Sequence, residues 1–269
     1  MKNIESPIAP ELTSKSERYG ATGRLEASAY RRRVIQSLSV MGLFLSVAAI
    51  ESWLLGWIAP GSSVLSAGLL TGLTLGLMAT IYLTRLGLWN DFGFRRPDRW
   101  SDLLRFAPFL VVGLLPLTAG VKAAPLTLAG WVIAGPLIAF YKMVVLGGLL
   151  YAFKPLGRWR AAGLAALAFA VFEFGGVLGG GALLATGLLS LMYFFLSFAY
   201  GAAWLRTGLI WPLVIANALM TVSAASTQRS VEASNVANSA ADMFSGIGVA
   251  VLLAAYGAFL LRGTRRNPH

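Results

Sequence analysis

Eight stretches of the chain are long, mainly apolar and continuous: residues 34–59, 63–85, 105–120, 127–153, 161–178, 182–205, 207–224 and 243–262. A helix needs about 20 such residues to cross a hydrocarbon core roughly 30 Å thick. The runs are long and continuous, and an open sheet edge cannot sit in lipid, so the pattern favours helices over strands. The pattern predicts an all-α polytopic membrane protein of about eight transmembrane helices, with its membrane domain over residues 34–262. Residues 1–33 are polar and mixed in charge. They predict a basic N-terminal arm rather than a cleavable signal, because no short apolar core follows a small basic start. Residues 263–269 form a short basic tail. Segment 88–104, LWNDFGFRRPDRWSDLL, mixes aromatic and charged residues and predicts an interfacial helix over about 90–104. Ser101 or Asp98 is available to cap the helix that follows. Residues 225–242 are small and polar and predict an outer loop with at most one short helix.

The distribution of charge adds an orientation. With the N-terminus placed in the cytoplasm, 19 of the 22 basic residues fall on the cytoplasmic side. They are the arm residues up to Arg33, then Arg85, Arg95, Arg96, Arg99, Arg105, Lys154, Arg158, Arg160, Arg206, Arg262, Arg265 and Arg266. Lys122 and Arg229 fall outside, and Lys142 lies within a span. Basic residues concentrate in cytoplasmic loops of membrane proteins. An even number of spans with both termini cytoplasmic follows, and the predicted setting is the cytoplasmic membrane of a bacterium. The net charge of +11 then reflects topology and attraction to anionic inner-leaflet lipids. It does not indicate nucleic acid, because the basic residues are dispersed over separate loops at membrane borders.

Composition removes most familiar chemistry. The chain of 269 residues is 57% hydrophobic and 12% charged, whereas soluble domains are about 25% charged. It has no Cys and a single His, the terminal His269. Disulfides, thiolate nucleophiles, a histidine base, a histidine zinc site and a histidine-ligated haem are therefore excluded from the body of the fold. Neither a Walker-type nor a dinucleotide-binding glycine pattern is present. No metal or cofactor is predicted. A bound lipid, quinone or pigment remains compatible with so apolar a chain.

Three ionisable residues fall inside the apolar runs: Glu51, Lys142 and Glu173. Such groups are costly in a membrane and are functional candidates by default. The plainer reading is a buried ion pair or hydrogen bond that fixes helix packing, and it carries the greater weight for all three. Gly175, Gly176, Gly179, Gly180 and Gly181 follow Glu173. Small residues there predict close helix approach more readily than a broken helix around a cavity.

Two segments point to a family. LGLWNDFGFRRPDRWSDLL, from Leu86, is similar to the lead-in to the third helix of the CAAX prenyl-protease and bacteriocin-processing (Abi-type) intramembrane metalloproteases. Leu205-Arg206-Thr207-Gly208-Leu209-Ile210-Trp211-Pro212, continuing to Asn217, is similar to that family's last motif. The resemblance spans roughly residues 86–222 and implies an eight-helix bundle. The family activates water with Glu and His, by general-base or metal-assisted chemistry. Here the matching positions differ. Tyr141 and Lys142 stand where the family has two Glu, and Leu146 where it has Arg. Phe169 keeps the family's Phe, but Glu173 replaces the first His. Asn217 replaces the second His and Thr221 the Asn or Asp. The resemblance thus implies a fold without the hydrolytic activity. It also implies that Lys142 and Glu173 face each other as an ion pair, with Asn217 nearby. The expected role is a non-catalytic scaffold or accessory subunit that partners other membrane-protein subunits. Two readings stand beside it: a hydrolase with relocated chemistry in which Glu173 is the base and Lys142 its tuner, and a carrier of a hydrophobic ligand along Glu51, Lys142 and Glu173.

Overall fold

The computed structural model describes residues 31, 34–51, 54, 64–175, 183–227 and 236–262, and among them every regular element is a helix. The helices are α1 (Val34–Glu51), α2 (Val64–Leu86), α3 (Ala107–Leu114), α4 (Pro125–Phe153), α5 (Arg158–Phe174), α6 (Leu183–Thr207), α7 (Trp211–Thr227) and α8 (Val236–Arg262). Tight 3-10 turns precede and follow α3, at Trp100–Phe106 and Leu115–Ala119. Each of the eight apolar stretches coincides with a helix in its described part. Six helical segments among the described residues have the length and composition to cross a membrane. The exceptions are α5 and α7, at 17 residues each. Each rises about 26 Å, somewhat less than a full hydrocarbon core.

The centre of the bundle is α4. Two thirds of its most apolar stretch is buried, a larger share than in any other candidate span among the described residues. Pro125 starts it at a position where the missing N–H costs nothing. Helix α4 packs on α2, α5 and α7, while α6 packs on α5 and α8. Small residues set these approaches. Gly135 lies against Val222 and Ala218 of α7, and Gly257 of α8 lies against Ala199 and Ala202 of α6. Without a hydrophobic drive between helices in lipid, close van der Waals contact of this kind supplies the association. Helix α1 joins through Phe44 on Tyr141 and through Ser37, whose Oγ donates to the Gly148 carbonyl at 3.0 Å.

One end of the bundle is a clamp between two distant segments. Residues 87–93 form hydrogen-bonded turns, 94–99 are irregular, and the predicted interfacial helix over 90–104 is present only from Trp100. The reason is local. At Gly87 the chain closes α2 with Leu88 N–H to Leu83 O at 3.0 Å and Gly87 N–H to Thr84 O at 3.3 Å. Six residues on, Phe94 N–H to Trp89 O at 2.9 Å and Gly93 N–H to Asn90 O at 3.0 Å repeat this helix-ending closure. Pro97 then prevents an early restart. The loop is locked to the α6–α7 turn. Trp204 Nε1 donates to Phe92 O at 2.8 Å, Ile210 N–H to Gly93 O at 3.2 Å, and Trp211 Nε1 to Arg95 O at 3.1 Å. The next helical turn begins after Arg99 with no side-chain cap. Neither Ser101 nor Asp98 caps it; Asp98 accepts instead from Arg95.

The helix ends at Leu86, Phe153, Thr207 and Arg262 and the starts at Arg158 and Trp211 gather at this end. They carry Arg85, Lys154, Arg158, Arg206 and Arg262. Lys122 lies at the other end, where its N–H donates to Ser226 O at 2.8 Å. Of the predicted 225–242 loop, residues 225–227 belong to α7 and 236–242 to α8, and 228–235 lie outside the described residues. Most of the 1–33 arm, the 263–269 tail and Gly176, Gly179, Gly180 and Gly181 lie outside the described residues.

Two glycine substitutions separate the clamp from helix propensity. Gly93 has φ +94°, and an added Cβ would meet the Gly208 carbonyl oxygen and lie 2.9 Å from Ile210 N. Gly93→Ala should cost about 2 kcal/mol or more. Gly163 is helical with open space around it, so Gly163→Ala should be neutral or stabilise by up to about 1 kcal/mol. Unfolding midpoints of the purified protein in detergent check both.

Candidate functional site

The structure brings Lys142 of α4 and Glu173 of α5 together. Lys142 Nζ lies 2.9 Å from Glu173 Oε1 and donates to Oε2 at 3.0 Å. Both side chains are nearly enclosed, at 12% and 10% exposure. The topology explains the meeting. A tight turn at Lys154–Leu156 reverses the chain between α4 and α5. Lys142 is 12 residues before that turn and Glu173 is 15 residues after Arg158, so antiparallel packing sets them at similar depth.

A third helix completes the arrangement. Tyr193 of α6 accepts from Lys142 Nζ at 3.2 Å, and the ammonium sits 4.4 Å from the centre of its ring. The ring face and the hydroxyl oxygen both present negative potential to the cation. Phe169, one turn before Glu173, packs edge-on to Tyr193 with ring centres 6.1 Å apart. Tyr141 is buried beside the pair against Phe44 at 6.3 Å, within electrostatic range of Lys142, Glu173, Tyr193 and Glu51. Sequence reasoning singled out Lys142, Glu173 and Tyr141 but missed Tyr193. The available signal was a hydroxyl-bearing residue in the middle of the apolar run LLSLMYFFLS.

The remaining predicted positions divide. Leu146 and Phe169 are packed in the core at 1% exposure each. Thr221 turns back on its own helix, donating from Oγ1 to the Asn217 carbonyl at 2.9 Å. Asn217 is 1% exposed, and neither its Oδ1 nor its Nδ2 has a hydrogen-bond partner among the described residues. It is therefore buried as expected but bonded to neither Lys142 nor Glu173. Ser190 Oγ, one turn before Tyr193, and Glu51 Oε2 are likewise buried without a hydrogen-bond partner among those residues. Gly175 supports the close-approach reading, because a Cβ there would strike Leu45 of α1.

Chemically, the site opposes one ammonium to one carboxylate and adds a tyrosine contact to the ammonium. Among the described residues no group of His, Cys, Asp and Glu could hold a metal. Comparison with family models, with curated proteins and with solved structures finds no match.

Removing one partner leaves a buried charge alone, at a cost of about 3–5 kcal/mol, whereas removing both is far less harmful. Lys142→Ala should therefore destabilise more than the double change Lys142→Ala with Glu173→Ala. A double-mutant cycle on detergent unfolding checks this, and additive losses would exclude the pair as a stabilising unit.

Proposed function

We propose that this chain is a non-catalytic integral membrane protein on a CAAX-protease-like bundle, acting as a scaffold or accessory subunit of a larger membrane complex. The observation that carries the reading is the Lys142–Glu173 pair, held by Tyr193. It occupies two of the positions where the resembling family keeps Glu and His. A carboxylate whose two oxygens both lie within 3.0 Å of an ammonium is arranged as an ion-pair partner rather than as a base aimed at water. Tyr141, Leu146, Phe169 and Thr221 also make packing or local contacts. In this reading the bundle has eight crossings with both termini cytoplasmic, in a bacterial cytoplasmic membrane. The gathering of basic helix ends supports it, since that end faces the cytoplasm by the positive-inside rule.

Mild-detergent extraction from native membranes should recover the protein with stoichiometric membrane partners. Glu173→Gln should leave any hydrolysis of hydrophobic or prenylated peptides at background. A monodisperse lone chain, or an activity abolished by Glu173→Gln, would overturn the proposal. Reporter fusions should place both ends on the cytoplasmic face; a fusion active on opposite faces would remove the even count.

A second reading has an observation of its own. Asn217, Ser190 and one oxygen of Glu51 are buried polar groups without partners among the described residues. A polar group left unpaired in the interior costs about 1–3 kcal/mol, and the polar head of a lipid, quinone or pigment would satisfy it. Extraction of a stoichiometric small molecule, lost in Asn217→Leu, would favour this carrier-like role.

A further inference from the structure

We propose that the basic end of the bundle holds a specific site for a phosphate group, supplied by a phospholipid whose headgroup also carries a hydrogen-bond donor. The site is a cavity of about 350 Å³ between the 87–99 loop, the end of α4 and the α6–α7 turn. That volume falls within the range of about 300–1,000 Å³ typical of small-ligand pockets.

Two cations face it, Arg95 and Lys154. Lys154 is exposed at the end of α4 and has no ion pair among the described residues. Arg95 reaches Asp98 only at 3.4 Å, with both side chains well exposed. An exposed pair of that kind contributes little, so the guanidinium keeps donors for an anion. The backbone of Arg95 is nevertheless anchored and its side chain has room beside the α6–α7 turn. Trp211 holds the Arg95 carbonyl. Gly208 supplies the space for the guanidinium, since a Cβ there would lie 3.0 Å from Arg95 Nη2. Arginine in a fixed fork and lysine as a compact charge are the side chains suited to phosphate oxygens.

The opposite wall specifies the headgroup. Asn90 and Asp91 line the same cavity. A carboxylate there opposes a bare anion and favours a ligand that presents a hydroxyl or ammonium next to its phosphate. A phosphodiester bearing glycerol or ethanolamine has both; a choline headgroup has no N–H or O–H to give.

A neighbouring feature selects lipid over a soluble phosphate. A second cavity of about 330 Å³ shares Arg95, is bordered by Arg96, and is otherwise walled by Phe94, Pro97, Trp100 and Trp211. Trp100 is 76% exposed. An apolar, aromatic groove adjoining a cationic one matches a phospholipid, whose acyl ester region adjoins its phosphate, and aromatic rings of this kind sit at membrane interfaces. The inference does not depend on the role of the Lys142–Glu173 pair.

The test uses the full chain, delipidated in detergent, with native mass spectrometry and thermal unfolding as readouts. Phosphatidylglycerol and phosphatidylethanolamine should each bind at one site and raise the unfolding midpoint; phosphatidylcholine and inorganic phosphate should not. Lys154→Gln should weaken lipid binding about tenfold or more, the scale of one charged hydrogen bond, and Lys154→Arg should restore it. Arg95→Gln should act like Lys154→Gln. Arg160→Gln, an exposed basic residue outside the cavity, should bind like the parent. Equal binding of phosphatidylcholine, or parent-like binding by Lys154→Gln, would overturn the proposal. An equal response to inorganic phosphate would overturn the lipid as its source.

Discussion

An ammonium and a carboxylate cannot stand apart in the interior of an apolar bundle. The desolvation of each alone costs several kcal/mol, and only mutual contact with good geometry offsets it. Lys142 and Glu173 meet that condition, and Tyr193 takes a further ammonium contact. The consequence is structural. One residue each from α4, α5 and α6 must reach the same point, which fixes the relative depth of three helices. Helix α4 also carries the contacts to α2 and α7, so the pair constrains its neighbours as well. Hydrophobic side chains slide over one another at little cost in lipid. A buried pair has one register, and this is the use of buried charge with the firmest physical support.

The second constraint is made of backbone. The 87–95 loop and the 204–211 turn are over 100 residues apart in sequence, yet two indole N–H groups and one amide bind the loop's carbonyls. Both segments use glycine where the chain turns into positive φ, at Gly93 and Gly208. Each of these glycines also leaves room for the other segment: Gly93 for the Gly208 carbonyl, Gly208 for the Arg95 side chain. The two segments that carry the sequence resemblance are thus one physical unit. Their residue types follow from the clamp's own geometry, independently of any chemistry in the middle of the bundle.

This explains what was readable in the chain and what was not. Helix positions were legible because apolar runs near 20 residues have few alternatives to a span. The Lys142–Glu173 meeting was legible from the cost of leaving either charge alone and was implied by the sequence resemblance. The 90–104 segment was misread because its amphipathic composition fits an interfacial helix. The two glycines six residues apart and Pro97 override composition there. Tyr193 was missed because a tyrosine within an apolar run is ordinary, and its partner lies 51 residues away. The ends of α7 and α8 were misplaced because small polar residues such as Ser226 and Thr227 suit a loop. Here they satisfy their hydroxyls on their own helix, at Ser223 O and Ala224 O.

The polar inventory of the bundle exceeds what an ion pair alone requires. The pair itself involves Lys142, Glu173 and Tyr193, and it leaves Glu173 Oε1 in ion-pair range of the ammonium but without a hydrogen bond among the described residues. Glu51 adds a second carboxylate, with Oε2 buried and bonded to no described residue. Asn217 adds an amide with four hydrogen-bonding capacities, buried and bonded to no described residue. Each surplus group would be better replaced by an apolar one if packing were the only demand, since a leucine at 217 would avoid the desolvation cost. Scaffolding accounts for the pair and for the clamp at the basic end. It does not account for Asn217, Ser190 and Glu51. Buried polar groups of this kind are completed in folded proteins by ordered water or by a polar group from another molecule.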